Sequence, residues 1–547
     1  MHFDAVLIEP RRAAMAAAGF WLGKTPDDFF DANLVANPDA IALSVYSAST
    51  GTRESLTWSE LDRLADRCAI GLKKLGIGHN DVVCCQLPNS WQFVATYLGC
   101  SRIGAVFNPV MHIFRERELA FMLAHGEVKV FIVPKRFNKF DHEAMANGLK
   151  PSLPHLEHIV VLGGEGPNSF DALLNNPEFD AKRGSITRDS RFGPDDVIQL
   201  VYTSGTTGEP KGAMHTANTI FSNLKPFSER LHMDGKDVIL MASPMAHQTG
   251  FMYGLLLPLM LGARMVLMDS WNKALAAELV EREGITWTMA STPFLIDLTD
   301  AVEEGGRNAS SLRIFLCAGT VIPGPVVERA QRVLGARVIS AWGMSENGAV
   351  TTVRPEDPEN QSAISDGCPL PGVEIEIRDA KGKPVGPGVE GDIYLRACSV
   401  FAGYLKRPHL NGFDKDHWFE TGDRGRMDEK GYIRITGRSK DIIIRGAENI
   451  PVVEVEAELY KHPAVALAAV VAYPDERLGE RACAVIVLKA GQSLTFAEMQ
   501  DFLKGRGLTR QYWPERLELR DRLPMTASGK IQKFALRQML REEAERK

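Results

Sequence analysis

The sequence predicts an α/β protein. It consists of a large N-terminal domain of α/β subdomains with a small β-rich subdomain, followed by a small mobile α+β C-terminal domain. Three observations predict this. From Phe29 to about Arg191, and again from Val238, buried apolar runs alternate with amphipathic stretches of helical period, as in a largely parallel sheet. From Gly372 to Arg396 the strands shorten and turn residues crowd in, which predicts an antiparallel subdomain or barrel. After Gly437–Asp441 a separate α/β alternation runs to a charged end, dividing the chain into 1–439 and 440–547.

Each element has its own signal. A helix begins at Ser59, with Leu61, Leu64, Cys68, Leu72 and Leu75 spaced by three and four. Asp81–Leu87 is a buried strand, and Asn89–Gly104 is a helix carrying Trp91, Val94, Tyr97 and Leu98. Val128–Val133 and His158–Leu162 are further strands. Val197–Thr203 is an apolar, β-branched strand, and Ala213–Leu224 reads as a helix. Three later strands, Val238–Ala242, Arg313–Cys317 and Val338–Ala341, each end in a polar or Gly-rich loop (243–250, 318–320 and 342–346). In parallel sheets such loops build the site.

Composition narrows the classes. At 547 residues the chain exceeds one core, and 45% hydrophobic with 24% charged residues is ordinary for a globular protein. A net charge of −6 gives no reason to expect nucleic acid. The eight cysteines lack C-x-x-C or metal spacing and read as buried thiols of a reducing compartment. The apolar run Phe251–Met268 is broken by Pro258 and Arg264, so a core segment is expected and no transmembrane span. Arg11-Arg12 faintly suggests a twin-arginine signal, but the acidic flank and short alanine-rich run favour a mature helix and a cytoplasmic protein.

The chemistry centres on YTSGTTGEPKG, residues 202–212. Glycines let backbone N–H groups approach a polyanion, hydroxyls add donors and Lys211 adds charge, so the stretch reads as a phosphate cradle. It is not a Walker A loop. The string resembles the ATP signature of the adenylate-forming superfamily, which includes acyl-CoA synthetases, adenylation domains and beetle luciferases. That resemblance implies ATP contacts from Thr203, Ser204, Gly205, Thr206, Thr207, Gly208 and Lys211, and from Gly319 and Thr320 in the 318–320 loop.

Further elements follow in the order the family has them. WGMSE, residues 342–346, resembles its aromatic-Gly-x-Thr-Glu element, with Trp for the usual Tyr and Ser for Thr. The resemblance places Trp342, Gly343 and Ser345 on the nucleotide and Glu346 on Mg²⁺, and a hard cation bridging phosphates does need an anionic oxygen. TGD ending at Asp423 resembles the ribose-binding element, with Arg438 as a second ribose contact. His247, in a Pro-x-x-His pattern, is assigned to the acyl pocket with Gly250, Phe251, Ala318, Ala341 and Met344. No general base is needed, because a carboxylate is already a nucleophile.

The small residues Gly250, Gly254, Ala318 and Ala341 imply room for a medium chain or a ring. Lys440 stands at the family's hinge position, and Gly446 with Ala447 borders the coenzyme A path. PMTASGK, residues 524–530, resembles the element whose lysine offsets charge as carboxylate and α-phosphate approach, here Lys530.

The resemblance therefore implies an ATP-dependent carboxylate–CoA ligase, taking cyclohexanecarboxylate or a medium-chain fatty acid. The alternative is an adenylation enzyme loading a carrier-protein pantetheine. It also implies that a lysine acetyltransferase and deacetylase acting on Lys530 would switch the enzyme.

Overall fold

The computed structural model describes residues 1–203, 210–319, 322–438, 443–445, 448–450, 452–475, 479–508, 510–526 and 529–545. The expected boundary and hinge, at Lys440, lie outside them.

Among the described residues two large sheets dominate the N-terminal part. In the nine-stranded one, Val238–Met241, Trp287–Ala290, Ile314–Ala318 and Arg337–Met344 run parallel as neighbours. One edge is the early hairpin Ile41–Tyr46 and Arg53–Thr57, which pairs onto Arg264–Met268, with Tyr46 opposite Met268. The seven-stranded sheet carries Val82–Cys85, Val106–Pro109, Val128–Pro134, His158–Leu162 and Val197–Thr203.

The helices follow their sequence signals. Trp58–Lys74 starts at a reciprocal cap, in which the Glu60 backbone N–H donates to Thr57 Oγ1 and the Thr57 N–H to Glu60 Oε2. Leu61, Leu64, Cys68 and Leu72 face inward, as their spacing predicts. The helix Trp91–Ile103 is buried from Phe93 onward on every face, as a helix between layers must be. Its Tyr97 packs edge-on to Phe107 and Phe251, at centroid distances of 5.5 and 5.1 Å.

One expectation fails. Ala213–Leu224 is not one helix: Lys211–Thr216 is a strand paired antiparallel to Val197–Thr203, and the helix spans Ala217–Arg230. On its other side the strand pairs with Gly403 and Tyr404, so two neighbours supply its backbone partners and outweigh local helix propensity. Thr203 and Lys211 are therefore antiparallel partners, and the helix opens only after Thr216.

Phe251–Met268 is core, as expected: a wide helical turn Gly250–Leu256, a helix Leu257–Leu261 and the strand Arg264–Met268. No described helix is long and apolar enough to cross a membrane. Arg11 and Arg12 lie in the helix Glu9–Ala17, where the Arg11 guanidinium donates to the carbonyls of Val400 and Phe401. All eight cysteines are buried free thiols.

The β-rich part is a four-stranded antiparallel sheet of Val373–Arg378, Gly391–Ala397, Phe419–Met427 and Ile433–Arg438. The small C-terminal domain has its own sheet around Val465–Asp475 and Gly479–Leu488, with separate apolar clusters on its two faces. One is closed by Leu536 and Leu540 of the helix Lys533–Glu545.

Candidate active site

Four parallel neighbours end on the same edge of the nine-stranded sheet. They deliver there the segments 243–250, 291–294, 318–319 and 342–346. Asn89 ties the first of these down. Its Nδ2 donates to the carbonyls of Ser243 (3.0 Å) and Met268 (3.1 Å), and its Oδ1 accepts from the Met245 N–H at 2.7 Å. Sequence reasoning missed Asn89, whose only signal is a buried polar residue just before a helix.

On the side expected to meet phosphate, Thr203 and Lys211 are register partners on adjacent strands. Ser204, Gly205, Thr206, Thr207 and Gly208 lie outside the described residues, as do Thr320, Gly446 and Ala447. Lys211 Nζ donates to the Tyr404 hydroxyl at 2.9 Å and sits 4.2 Å from the centre of its ring. That hydroxyl donates in turn to Glu346 Oε1 at 2.6 Å. Glu346 is buried. Burial and then the Glu346 charge push the Tyr404 hydroxyl well above the usual tyrosine range, so it stays a donor. Tyr404 was not foreseen, because it stands far along the chain from both partners.

The Trp that replaces the family's Tyr has a role of its own. Trp342 Nε1 donates to Asp423 Oδ2 at 2.9 Å, with both residues buried. Asp423 and Arg438, the two expected ribose contacts, are register partners on adjacent strands. Ser345 is fixed from behind: His215 Nε2–H donates to its carbonyl at 2.7 Å. Burial holds the His215 imidazole down to about 4, so it is neutral.

Lys530 is seated against the large domain. Gly319 has φ +85°, and a Cβ there would lie 2.2 Å from Lys530 Cε and 2.9 Å from Nζ. Gly529 has φ +77°, and a Cβ there would meet Ser291 Oγ at 2.5 Å and Phe294 at 2.7 Å. One glycine from each domain lets the lysine turn enter. The turn is braced internally, with the Lys530 N–H donating to Thr526 Oγ1 at 3.0 Å and the Thr526 N–H to the Lys530 carbonyl at 2.7 Å.

His247 is within reach of this charge. Burial first and the Lys530 charge second lower its imidazole to about 3, and its Nδ1 accepts from the Thr249 N–H at 3.2 Å. It is a neutral ring that presents no charge to a carboxylate. Ala318 and Ala341 are register partners at the ends of adjacent strands, next to Gly319 and continuing to Gly343 and Met344.

The reading of Gly250 and Gly254 as acyl room does not hold. A Cβ on Gly250 would lie 2.2 Å from the Pro244 carbonyl oxygen, and one on Gly254 2.4 Å from Met241 Cγ. Protein fills both spaces. Phe251 is fully buried against Tyr97 and Phe107. Ala318, Ala341, Met344 and His247 carry the remaining expectation of an acyl wall.

The donors fit a cation that arrives with a polyphosphate. Glu346 is a buried carboxylate whose partner is a neutral hydroxyl. Among the described residues no three His, Cys, Asp or Glu side chains group to hold an ion unaided, so phosphate oxygens would complete the shell, as Mg²⁺ prefers.

Comparison with known proteins agrees with this geometry. Residues 30–405 match the model of the AMP-binding enzyme family, and 454–530 that of the AMP-binding enzyme C-terminal domain. The chain is 37% identical over 532 residues to a medium-chain fatty-acid–CoA ligase of Escherichia coli, covering 97% of this chain and 93% of that one. It is 32% identical over 529 residues to a 2,3-dihydroxybenzoate-AMP ligase of Bacillus subtilis, covering 96% and 95%. Among solved structures, an anthranilate CoA ligase in complex with anthranoyl-AMP superposes with TM-score 0.85 at 25% identity, covering 96% and 98%. Matched along nearly its whole length, the chain belongs to the AMP-binding enzyme family, the adenylate-forming superfamily that includes the acyl-CoA synthetases.

Proposed function

We propose that this chain activates a carboxylic acid as its acyl-adenylate and passes the acyl group to the thiol of coenzyme A. The observation that carries the reading is the lysine turn seated at Gly319, beside the small residues Ala318 and Ala341. A cation there offsets the repulsion between an incoming carboxylate and the α-phosphate.

A carboxylate oxygen attacks the α-phosphorus, the bond to the β-phosphate breaks and pyrophosphate leaves. Residues 203–211 cradle the phosphates, with Gly319, Thr320, Gly343 and Ser345 around the α-phosphate. Asp423 grips the ribose with Arg438, and Trp342 holds Asp423 in place. Glu346 would hold the Mg²⁺ that travels with ATP, which screens phosphate charge. The thiol of coenzyme A then attacks the acyl carbon, the bond to AMP breaks and AMP leaves. For that step the small domain turns about Lys440, Lys530 withdraws, and Gly446 and Ala447 border the pantetheine path. Acetylation of Lys530 would remove the charge that the first step uses.

The acid is a medium-chain fatty acid or a ring such as cyclohexanecarboxylate. Similarity to the medium-chain ligase and the uncharged wall of Ala318, Ala341, Met344 and neutral His247 support this. Similarity to an aryl-AMP ligase keeps a second reading, loading of a carrier-protein pantetheine. AMP formation from ATP with octanoate, hexanoate, cyclohexanecarboxylate, benzoate and acetate, with and without coenzyme A, separates the two. The proposal expects CoA-dependent turnover on the medium chains or the alicyclic ring. Adenylate without CoA turnover on every acid would favour carrier loading.

A further inference from the structure

We infer that Tyr404 is a positioning residue that couples the loading of nucleotide to the loading of its divalent cation. The inference rests on the reading of Lys211 as a phosphate contact and Glu346 as a cation ligand, and it assigns a part to a residue outside both motifs.

The argument starts from donor and acceptor inventory. A lysine ammonium can only donate and a carboxylate can only accept, so the hydroxyl between them has no choice of direction. It accepts from Lys211 Nζ at 2.9 Å and donates to Glu346 Oε1 at 2.6 Å. A hydroxyl that accepts from a cation is polarised and donates more strongly, so the two bonds reinforce each other.

Backbone contacts fix the hydroxyl's place. Tyr404 pairs with Ala213, two residues along the strand from Lys211, and its N–H donates to Asn411 Oδ1 at 2.9 Å. The Phe401 N–H donates to the Glu346 carbonyl at 2.7 Å, so the 401–404 segment grips the backbone of Glu346 as well as its side chain. The ring packs edge-on to Phe401 at 4.6 Å.

The chain Lys211–Tyr404–Glu346 thus has two settings. Without nucleotide, the ammonium strengthens the hold of the hydroxyl on the carboxylate and the cation ligand is occupied. When phosphate draws Lys211 away, the hydroxyl loses its donor, its hold weakens and Glu346 is released to a cation. ATP binding thereby favours cation capture beyond the direct attraction between phosphate and metal. By linkage, the cation favours ATP to the same degree.

The test is equilibrium binding of ATP to the full chain by calorimetry, in EDTA and in saturating Mg²⁺. The ratio of the two dissociation constants is compared between the native protein and Y404F. Phe keeps the packing on Phe401 but can neither accept nor donate. The ratio should fall by about tenfold in Y404F, the scale of a hydrogen bond to a charged group. An unchanged ratio overturns the inference.

Y404H is the second variant, because an imidazole can accept at one nitrogen and donate at the other. Partial recovery of the ratio supports the relay, and it decides the matter alone if Y404F does not fold. Loss of the ratio in Y404F with no recovery in Y404H would locate the coupling in the phenol hydroxyl itself, at a reach from the backbone that an imidazole nitrogen does not match. Mn²⁺ titration followed by electron paramagnetic resonance gives a readout without turnover. In the absence of nucleotide, Y404F should bind Mn²⁺ several-fold more tightly than the native chain, and equal binding counts against the relay. A native protein that binds no ATP at all would overturn the proposed function and this coupling with it, whereas ATP binding with an unchanged ratio overturns the coupling alone.

Discussion

The phosphate side of the site is held by directed polar contacts: Lys211 to Tyr404, Tyr404 to Glu346, Trp342 to Asp423 and His215 to Ser345. The 250–256 turn, expected from the sequence to border the acyl group, is held by packing: Gly250 against the backbone of Pro244, Gly254 against Met241, and Phe251 among Tyr97 and Phe107. In the proposed reaction polyphosphate, ribose and cation are the same in every turnover, so fixed donors at fixed places would serve them. An acyl chain offers few handles, and its pocket is whatever volume the packing leaves. Substitutions on the first side should therefore change individual binding or chemical steps, and those on the second should first change stability.

The largest expected effect lies where the two sides meet. Lys530→Ala should slow adenylation by about 10²–10³-fold, the range seen when a preorganised charge partner is removed. It should leave thioester formation from supplied acyl-adenylate near its native rate. Separate single-turnover assays of the two half-reactions read this, and equal loss in both would refute the division of labour.

Next comes packing. Gly250→Ala drives a Cβ into the Pro244 carbonyl oxygen, and backbone cannot step aside cheaply. Overpacking of this kind costs about 1–3 kcal/mol in urea unfolding. The order of preference among acids should survive, and a reordered panel would show that Gly250 does face the acyl group.

The smallest effect sharpens the polar side. Trp342→Phe removes the bond to Asp423 and, acting on ATP only through that carboxylate, should weaken ATP binding by roughly three- to tenfold, the net worth of one ordinary hydrogen bond. With 2′-deoxy-ATP the penalty should shrink, because the carboxylate has less ribose to grip. The same loss for both nucleotides would place Trp342 against the base instead.

The sequence made the polar side legible because its residues come in short strings: Trp342 through Glu346, the Asp423 triplet and the turn before Lys530. It showed which strands end at the site, since apolar runs broken by polar loops mark the C-terminal edge of a parallel sheet. Three things were not legible. Lys211–Thr216 has no β-branched run and becomes a strand through partners on both sides, one of them Gly403–Tyr404. Tyr404 stands 193 positions from Lys211 and 58 from Glu346, so no local pattern could join them. The two glycines of the 250–256 turn reported small size, which reads alike whether the vacated volume belongs to ligand or to protein; here Met241 and Pro244 take it.

The early hairpin Ile41–Tyr46 and Arg53–Thr57 carries a consequence for synthesis. Its sheet neighbour, Arg264–Met268, is more than two hundred positions further along the chain. A ribosome adding about 5–20 residues per second needs on the order of 10–45 seconds to cover that interval. Throughout it, Ala42, Leu43 and the unpaired edge of Ile41–Tyr46 are exposed to whatever else the cell is making. The nascent chain thus has a vulnerable window in time, and slowing translation between residues 57 and 264 should increase aggregation more than an equal delay placed after residue 352.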